Sequence, residues 1–306
     1  MPTLKQLRYF DAVARLGHFG RAADLCSVTQ PALSMQIKEL ETELGVRLLE
    51  RLHDGARLTA AGIEIATRAA GVLTAMQDLV QTAHQSRGPL SGPLRLGVIP
   101  SVAPYLLPGL LPLLRRDFPE MSLQIRETQT APLLQELKDG RLDLLLLALP
   151  IEEKGVQTLH LFDDPFMLAV PVATPDPRQP DTPAELLRDE PLLLLEEGHC
   201  FRDQALAFCQ LRNIGQIDTF GASTLATVIQ MVANGMGVTF LPEMAVPVES
   251  HTENIRLLAM DAPAPSREIG LAWRSSAPGA AGYELLGHTI REAHDALKIN
   301  LPGAAA

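Results

Sequence analysis

At 306 residues, 46% hydrophobic and 20% charged, the chain has globular composition and enough apolar material for two or three domains. The N-terminus Met1-Pro2-Thr3-Leu4-Lys5 has no export-signal pattern, and the strongest apolar stretch, Leu142 to Pro150, is broken by Asp143 and far short of the about 20 residues a membrane span takes. Three cysteines are too few for a disulfide scaffold, and the net charge of −10 argues against nucleic acid until it is divided: residues 1–88 carry +1 and residues 89–306 carry −11.

A near-neutral head on an acidic body fits a small DNA-binding module joined to a larger ligand or sensor domain in the cytoplasm, with no membrane partner. In chain order, Leu4, Leu7, Phe10 and Val13 recur at helical spacing, and a short helix is predicted from about Phe19 to Leu25. A third helix begins at Thr29 as N-cap, with Pro31 in its first turn and Gly45 as its stop. Its apolar face is Leu33, Ile37, Leu40 and Leu44. The segment Val46 to Leu58 carries His53-Asp54-Gly55 as a hairpin tip. Residues 1–60 therefore read as a winged helix-turn-helix.

With Leu33, Ile37 and Leu40 inward, Pro31, Met35 and Lys38 fall on the outer face of the third helix, with Ser34 beside them and Gln30 at the N-terminal end. That is the face a recognition helix turns to double-stranded DNA: Gln and Ser read base edges, and Lys38 holds phosphate. Arg51 and Arg57 flank the hairpin tip, within reach of phosphate or the minor groove. An ordinary solvated helix face would look similar, so this pattern alone does not decide for DNA.

Residues 61–87 are predicted as one long helix. Ala66, Ala69, Leu73, Met76, Val80 and Ala83 form a heptad seam suited to a dimer helix. Residues 88–93, in Arg87-Gly88-Pro89-Leu90-Ser91-Gly92-Pro93, read as a hinge. From residue 94 to 306 strands alternate with helices. Strands are expected at Leu94–Ile99, Leu123–Glu127, Leu144–Leu149, Phe166–Val170, Leu192–Leu195, Val238–Leu241 and Ile269–Trp273. The class is α/β with a largely parallel sheet in two subdomains, one about 94–165 with 268–303 and the other about 166–267. Such chains bind ligands in the intervening cleft.

The segment Glu196-Glu197-Gly198-His199-Cys200-Phe201-Arg202-Asp203-Gln204-Ala205-Leu206-Ala207-Phe208-Cys209 places Cys200 at a helix N-terminus, where the helix dipole favours a thiolate. His199, Arg202 and Arg267 can add positive charge or hydrogen bonds. Cys209 is near enough in sequence to trap a sulfenic acid as a disulfide. Nine helical residues separate Cα atoms by roughly 13.5 Å, whereas a disulfide needs them within about 7 Å. A helix here in the reduced state cannot survive the bond. Two buried structural cysteines are the plain alternative. Cys26, in the second helix of the module, reads as a core residue. No metal cluster, G-x-G-x-x-G loop or Walker motif appears, so no metal and no cofactor are expected.

Leu7-Arg8-Tyr9-Phe10, Ala22-Ala23-Asp24-Leu25, Thr29-Gln30-Pro31-Ala32-Leu33-Ser34-Met35-Gln36-Ile37-Lys38-Glu39-Leu40-Glu41 and Leu58-Thr59-Ala60-Ala61-Gly62 resemble the signature of the LysR-type regulators. The resemblance implies a winged helix-turn-helix, a dimer helix and a periplasmic-binding-protein-like effector domain. It also implies homodimers or homotetramers on promoter operators, with RNA polymerase as a further partner, and a regulator rather than an enzyme. Many members carry Arg where Met35 stands.

Gly198-His199-Cys200-x-Arg202-Asp203-Gln204-x-x-x-Phe208-Cys209 resembles the sensing loop of the hydrogen-peroxide-responsive members. The likeness extends to Ile99 through Pro108, Gln129-Thr130, Gly235 through Val238 and Ser266 through Ile269. It implies that Cys200 is the peroxidatic residue and Cys209 the resolving one. It places Ser101, Thr130, His199 and Arg267 around hydrogen peroxide, with Asp203 relaying a proton or holding the helix start. Such members commonly have Thr where Ser101 stands, and losing that methyl predicts looser peroxide orientation. A LysR-type regulator answering a metabolite, a thiol peroxidase and a periplasmic-type binding module are the competing readings. Only the cysteine chemistry separates the first of these.

Overall fold

The computed structural model describes residues 1–86, 88–174, 187, 190–211, 217–260 and 264–298. They form two compact units, Met1–Ala83 with Asp139–Arg141, and His84–Lys138 with Leu142 onward.

The smaller unit holds α1 (Leu4–Leu16), α2 (Phe19–Leu25), α3 (Gln30–Leu44), the hairpin β1 (Leu49–Leu52) and β2 (Gly55–Leu58), and α4 (Ala60–Gln85) as far as Ala83. Helix α1 opens on a capping box, Thr3 with Gln6, and ends on left-handed Gly17. Thr29 caps α3 by accepting from Ala32 N, and left-handed Gly45 ends it. Leu33, Ile37 and Leu40 are buried against Tyr9, Phe10 and Val13, as their spacing predicts. The hairpin pairs Leu52 with Gly55, leaving His53-Asp54 as the turn.

Polar bonds tie the wing to the helices. The Glu41 carboxylate accepts from Leu48 N at 2.7 Å and Leu49 N at 3.1 Å. Thr59 accepts from Gly62 N and donates to Arg47 O. A Cβ at Gly62 would collide with Leu48 O. We expect Gly62→Ala to destabilise this unit by about 1–3 kcal/mol through overpacking, read as a lowered Tm of its unfolding transition. An unchanged melt would refute it.

The heptad seam needs correction at its first half. Ala69 is buried and Ile65 and Ala66 pack on the core of the smaller unit, so these residues are already used. The exposed apolar stripe is Val72, Met76 and Leu79, continued by exposed Ala83 and flanked by Val80. Steps of four, three and four along 72, 76, 79 and 83 keep the heptad but shift its face.

In the larger unit the expected hinge is mostly anchored. Leu90 is buried beside Gly282, and strand β3 (Gly92–Val98) already includes Gly92 and Pro93. Arg87 lies outside the described residues. There follow α5 (Ala103–Asp117), β4 (Met121–Glu127), α6 (Thr130–Lys138), β5 (Leu144–Leu149), β6 (Val156–Pro171), β7 (Leu192–Leu195), α7 (Cys200–Leu211), β8 (Ile217–Ala222), α8 (Leu225–Ala233), β9 (Thr239–Pro242), α9 (Val246–Glu249), β10 (Ile255–Ala259), β11 (Ser266–Arg274) and α10 (Ala280–Lys298). Every residue of β5 is buried, as its unbroken apolar run requires of a strand covered on both faces.

The sheet is mixed rather than largely parallel. Its order is β10-β6-β11-β5-β3-β4, with β9 also on β6. Only β3 with β4 and β3 with β5 run parallel within it, and β7 with β8 form a separate parallel pair. The reason is β6, which was expected only from Phe166. Val156 to Pro165 pair antiparallel with β11, with a bulge at Leu161, and from Phe166 the strand turns to β9 and β10. One strand thus serves both halves of the sheet, and its crossing point lies at Asp164 to Phe166. Strands β8 and β10 were not expected from the sequence. The expected subdomain boundaries at 165/166 and 267/268 fall inside β6 and β11, and the expected end, residues 299–303, lies outside the described residues.

Candidate functional site

On α3, Thr29, Gln30, Pro31, Met35 and Lys38 are exposed and Ser34 is half-buried. The outer face predicted for reading DNA is therefore the outer face observed. The Arg51 side chain lies outside the described residues. Arg57 pairs with Glu50 at 2.8 Å across the wing.

The second cluster forms where loops of the larger unit converge. Cys200 is the first residue of α7, half-buried, at the positive end of the helix dipole. His199 just before it is buried, and that burial lowers its pKa against the opposing pull of Glu196. Near neutral pH it therefore serves as a neutral hydrogen-bonding ring, not as the positive charge the sequence allowed. Arg202 is also committed, donating from Nη1 to Leu195 O at 2.9 Å. Asp203 sits in the first turn of α7, exposed, where a carboxylate complements the dipole.

Thr130, at the start of α6, arrives from the other side. Gln129 Nε2 donates to Glu197 O at 3.2 Å and its amide packs on left-handed Gly198. The Thr130 hydroxyl is buried without a hydrogen-bond partner, and so is Oε1 of Gln204, one helical turn beyond Cys200. Buried polar groups in native structures are nearly always satisfied, so these two atoms are hydrogen-bonding capacity available to a small polar molecule.

Arg267 on β11 is buried, with no exposed side-chain surface. Its Nη1 donates to Ser101 Oγ at 2.7 Å and its Nη2 to Ser101 O at 3.0 Å. Its guanidinium lies 5.5 Å from the Phe201 ring centre, next in sequence to Cys200. Its counter-charge is Asp164, fully buried on β6. Sequence reasoning missed Asp164, although alternation in Phe162, Asp164 and Phe166 places it inward. It also missed the buried Tyr105–Glu249 hydrogen bond of 2.8 Å, whose two residues lie 144 apart in the chain.

Cys209 is wholly buried at the far end of α7, and burial pushes its thiol up to about 11. Both cysteines are free thiols on one continuous helix. Nine residues of α-helix hold their Cα atoms about 13.5 Å apart. Phe201 packs edge-on against Phe166, and Phe208 against Phe240, pinning both ends of the segment. Among the described residues there is no group of three metal-ligating side chains, and no helix is long and apolar enough to cross a membrane.

Residues 4–63 match the bacterial regulatory helix-turn-helix proteins of the lysR family, and residues 87–295 match the LysR substrate binding domain. A probable hydrogen peroxide-inducible genes activator of Streptomyces viridosporus is 46% identical over 98% of this chain and 97% of its own. A full-length cysteine-to-aspartate variant of OxyR from Pseudomonas aeruginosa superimposes with a TM-score of 0.75 at 40% identity, covering 95% of this chain and 98% of that one. A hydrogen-peroxide-bound cysteine-to-serine variant of OxyR from Corynebacterium glutamicum gives 0.69 at 34% identity, covering 98% and 95%.

Proposed function

The chain belongs to the LysR family of bacterial regulatory helix-turn-helix proteins, and within it we propose a transcription regulator switched by hydrogen peroxide through Cys200 and Cys209. The observation that carries this is one helix with a half-buried cysteine on its first residue and a sequestered cysteine near its other end, its entry loop bonded by Gln129, the residue before the orphaned Thr130 hydroxyl. Residues 1–60 read double-stranded DNA through Gln30, Pro31, Ser34, Met35 and Lys38. Residues 61–87 pair with a second copy through the exposed stripe on α4. Residues 94–306 sense peroxide, and RNA polymerase is the partner at the promoter.

The chemistry runs in two balanced steps. The Cys200 thiolate attacks one peroxide oxygen, the O–O bond breaks, and the leaving hydroxide takes a proton to become water. Sulfur is oxidised to sulfenic acid and the departing oxygen is reduced. Thr130 and Ser101 orient the peroxide, His199 offers a neutral hydrogen bond, and Arg267 stabilises charge on the leaving oxygen. The Cys209 thiol then attacks the sulfenic sulfur, forming the disulfide and releasing a second water. A buried thiol held high in pKa is a poor nucleophile, so α7 must open before the second step. The helix cannot close again over the bond.

The test is mass spectrometry of the full-length reduced protein after a small excess of peroxide, with thiols blocked during digestion. A Cys200–Cys209 crosslink within minutes is expected. Two free thiols after exposure would overturn the proposal and leave a LysR-type regulator with another effector.

Thr130→Val separates the site's reactivity from its stability. Replacing an unsatisfied buried hydroxyl by a methyl should raise stability by about 1 kcal/mol. It should also slow Cys200 oxidation about tenfold, the equivalent of one lost hydrogen bond. Melting curves and a peroxide time course check both, and equal oxidation rates would remove Thr130 from the site.

A further inference from the structure

We propose that Asp164 is a positioning residue for the peroxide reaction, acting through Arg267 on the Ser101 hydroxyl. The inference rests on the peroxide reading above and adds a residue that no motif in the sequence marks.

Asp164 and Arg267 face each other in register on the antiparallel strands β6 and β11. The crossing point of β6 puts this pair where the two halves of the sheet meet. Asp164 Oδ2 accepts from Arg267 Nε at 2.9 Å and from Nη2 at 2.8 Å. Its Oδ1 accepts from Met244 N at 3.0 Å, so both carboxylate oxygens are fixed. Met244 Sδ also touches Arg267 Nη2 at 3.6 Å. Held along that edge, the guanidinium aims one of its Nη1 hydrogens at Ser101 Oγ, at 2.7 Å.

This arrangement decides what the serine can do. A hydroxyl that accepts from a guanidinium, which can only donate, keeps its own hydrogen to give elsewhere. Asp164 therefore sets Arg267, and Arg267 sets Ser101 as a donor toward a peroxide oxygen. The carboxylate also neutralises a cation that has no exposed side-chain surface. Arg267 thus works by oriented hydrogen bonds in a dry site, where preorganisation counts most.

The experiment compares wild type, D164N, R267Q and the double variant as full-length reduced protein. Each is assayed for Cys200 oxidation by hydrogen peroxide and for Cys200 alkylation by iodoacetamide, which has no oxygen leaving group. The double variant removes both charges together, so no unpaired charge stays buried and the fold is protected. We expect D164N to slow peroxide oxidation at least tenfold while alkylation stays within twofold of wild type. In the R267Q background D164N should cost nothing further, because two residues acting as one unit are not additive. Wild-type peroxide kinetics in D164N, equal slowing of both reagents, or an equal further loss in the R267Q background would each overturn the inference alone. Wild-type protein inert to peroxide would overturn the functional reading and this inference with it.

Discussion

A Cys200→Ser chain is expected to hold one DNA footprint at every peroxide level, its dose response lost altogether. A serine hydroxyl is not oxidised by peroxide, so the first step has no acceptor. The fold should not suffer, because the half-buried Cys200 side chain is not among the wholly buried core residues. Cys209→Ser is the informative partner. It should still form a sulfenic acid on Cys200, trapped by dimedone, yet build no disulfide and show no lasting change of footprint. Footprinting of both variants on one operator measures this. A Cys200→Ser chain that still shifted with peroxide would place the sensor elsewhere.

The second large effect is on stability. Arg267→Leu fills similar volume but strands the Asp164 carboxylate, fully buried, with Met244 N as its remaining bonded partner. Breaking a buried pair on one side costs about 3–5 kcal/mol, because the abandoned charge stays desolvated. Ser101 loses its donors in the same stroke. We expect the larger unit to melt well below wild type, with its Tm recovering in part when Asp164→Leu is added. A single variant within about 1 kcal/mol of wild type would mean the pair is far less desolvated than its geometry indicates.

Much of this was legible in the chain because it rests on local chemistry. Leu33, Ile37 and Leu40 were readable as an inward face because helical spacing is a local property, and the outward set of Gln30, Met35 and Lys38 followed from it. Cys200 was readable at a helix start because Gly198 ends a loop before it. The features that escaped depend on pairing across long separations. Strand β6 runs past the apolar stretch Phe166 to Val170 because its first half is polar and is fixed by β11, about a hundred residues later. The mixed sheet follows from the same strand. On α4 the expected seam keeps Met76, Val80 and Ala83 exposed but loses Ala66 and Ala69, because those two belong to the tertiary core with Tyr9 and Phe10. Asp164 was hidden for a like reason: its partner is 103 residues away.

The placement of both cysteines on one unbroken helix has a consequence in time. Oxidation of Cys200 needs only a small molecule to arrive, while disulfide closure waits for α7 to open and for Phe201 and Phe208 to leave Phe166 and Phe240. Between those events the sulfenic acid is open to reduction by passing thiols, which would return the chain to its starting point. On the proposed mechanism the helix would work as a delay line. Brief exposure is erased before it is recorded, and sustained exposure is written into a bond that outlasts the oxidant.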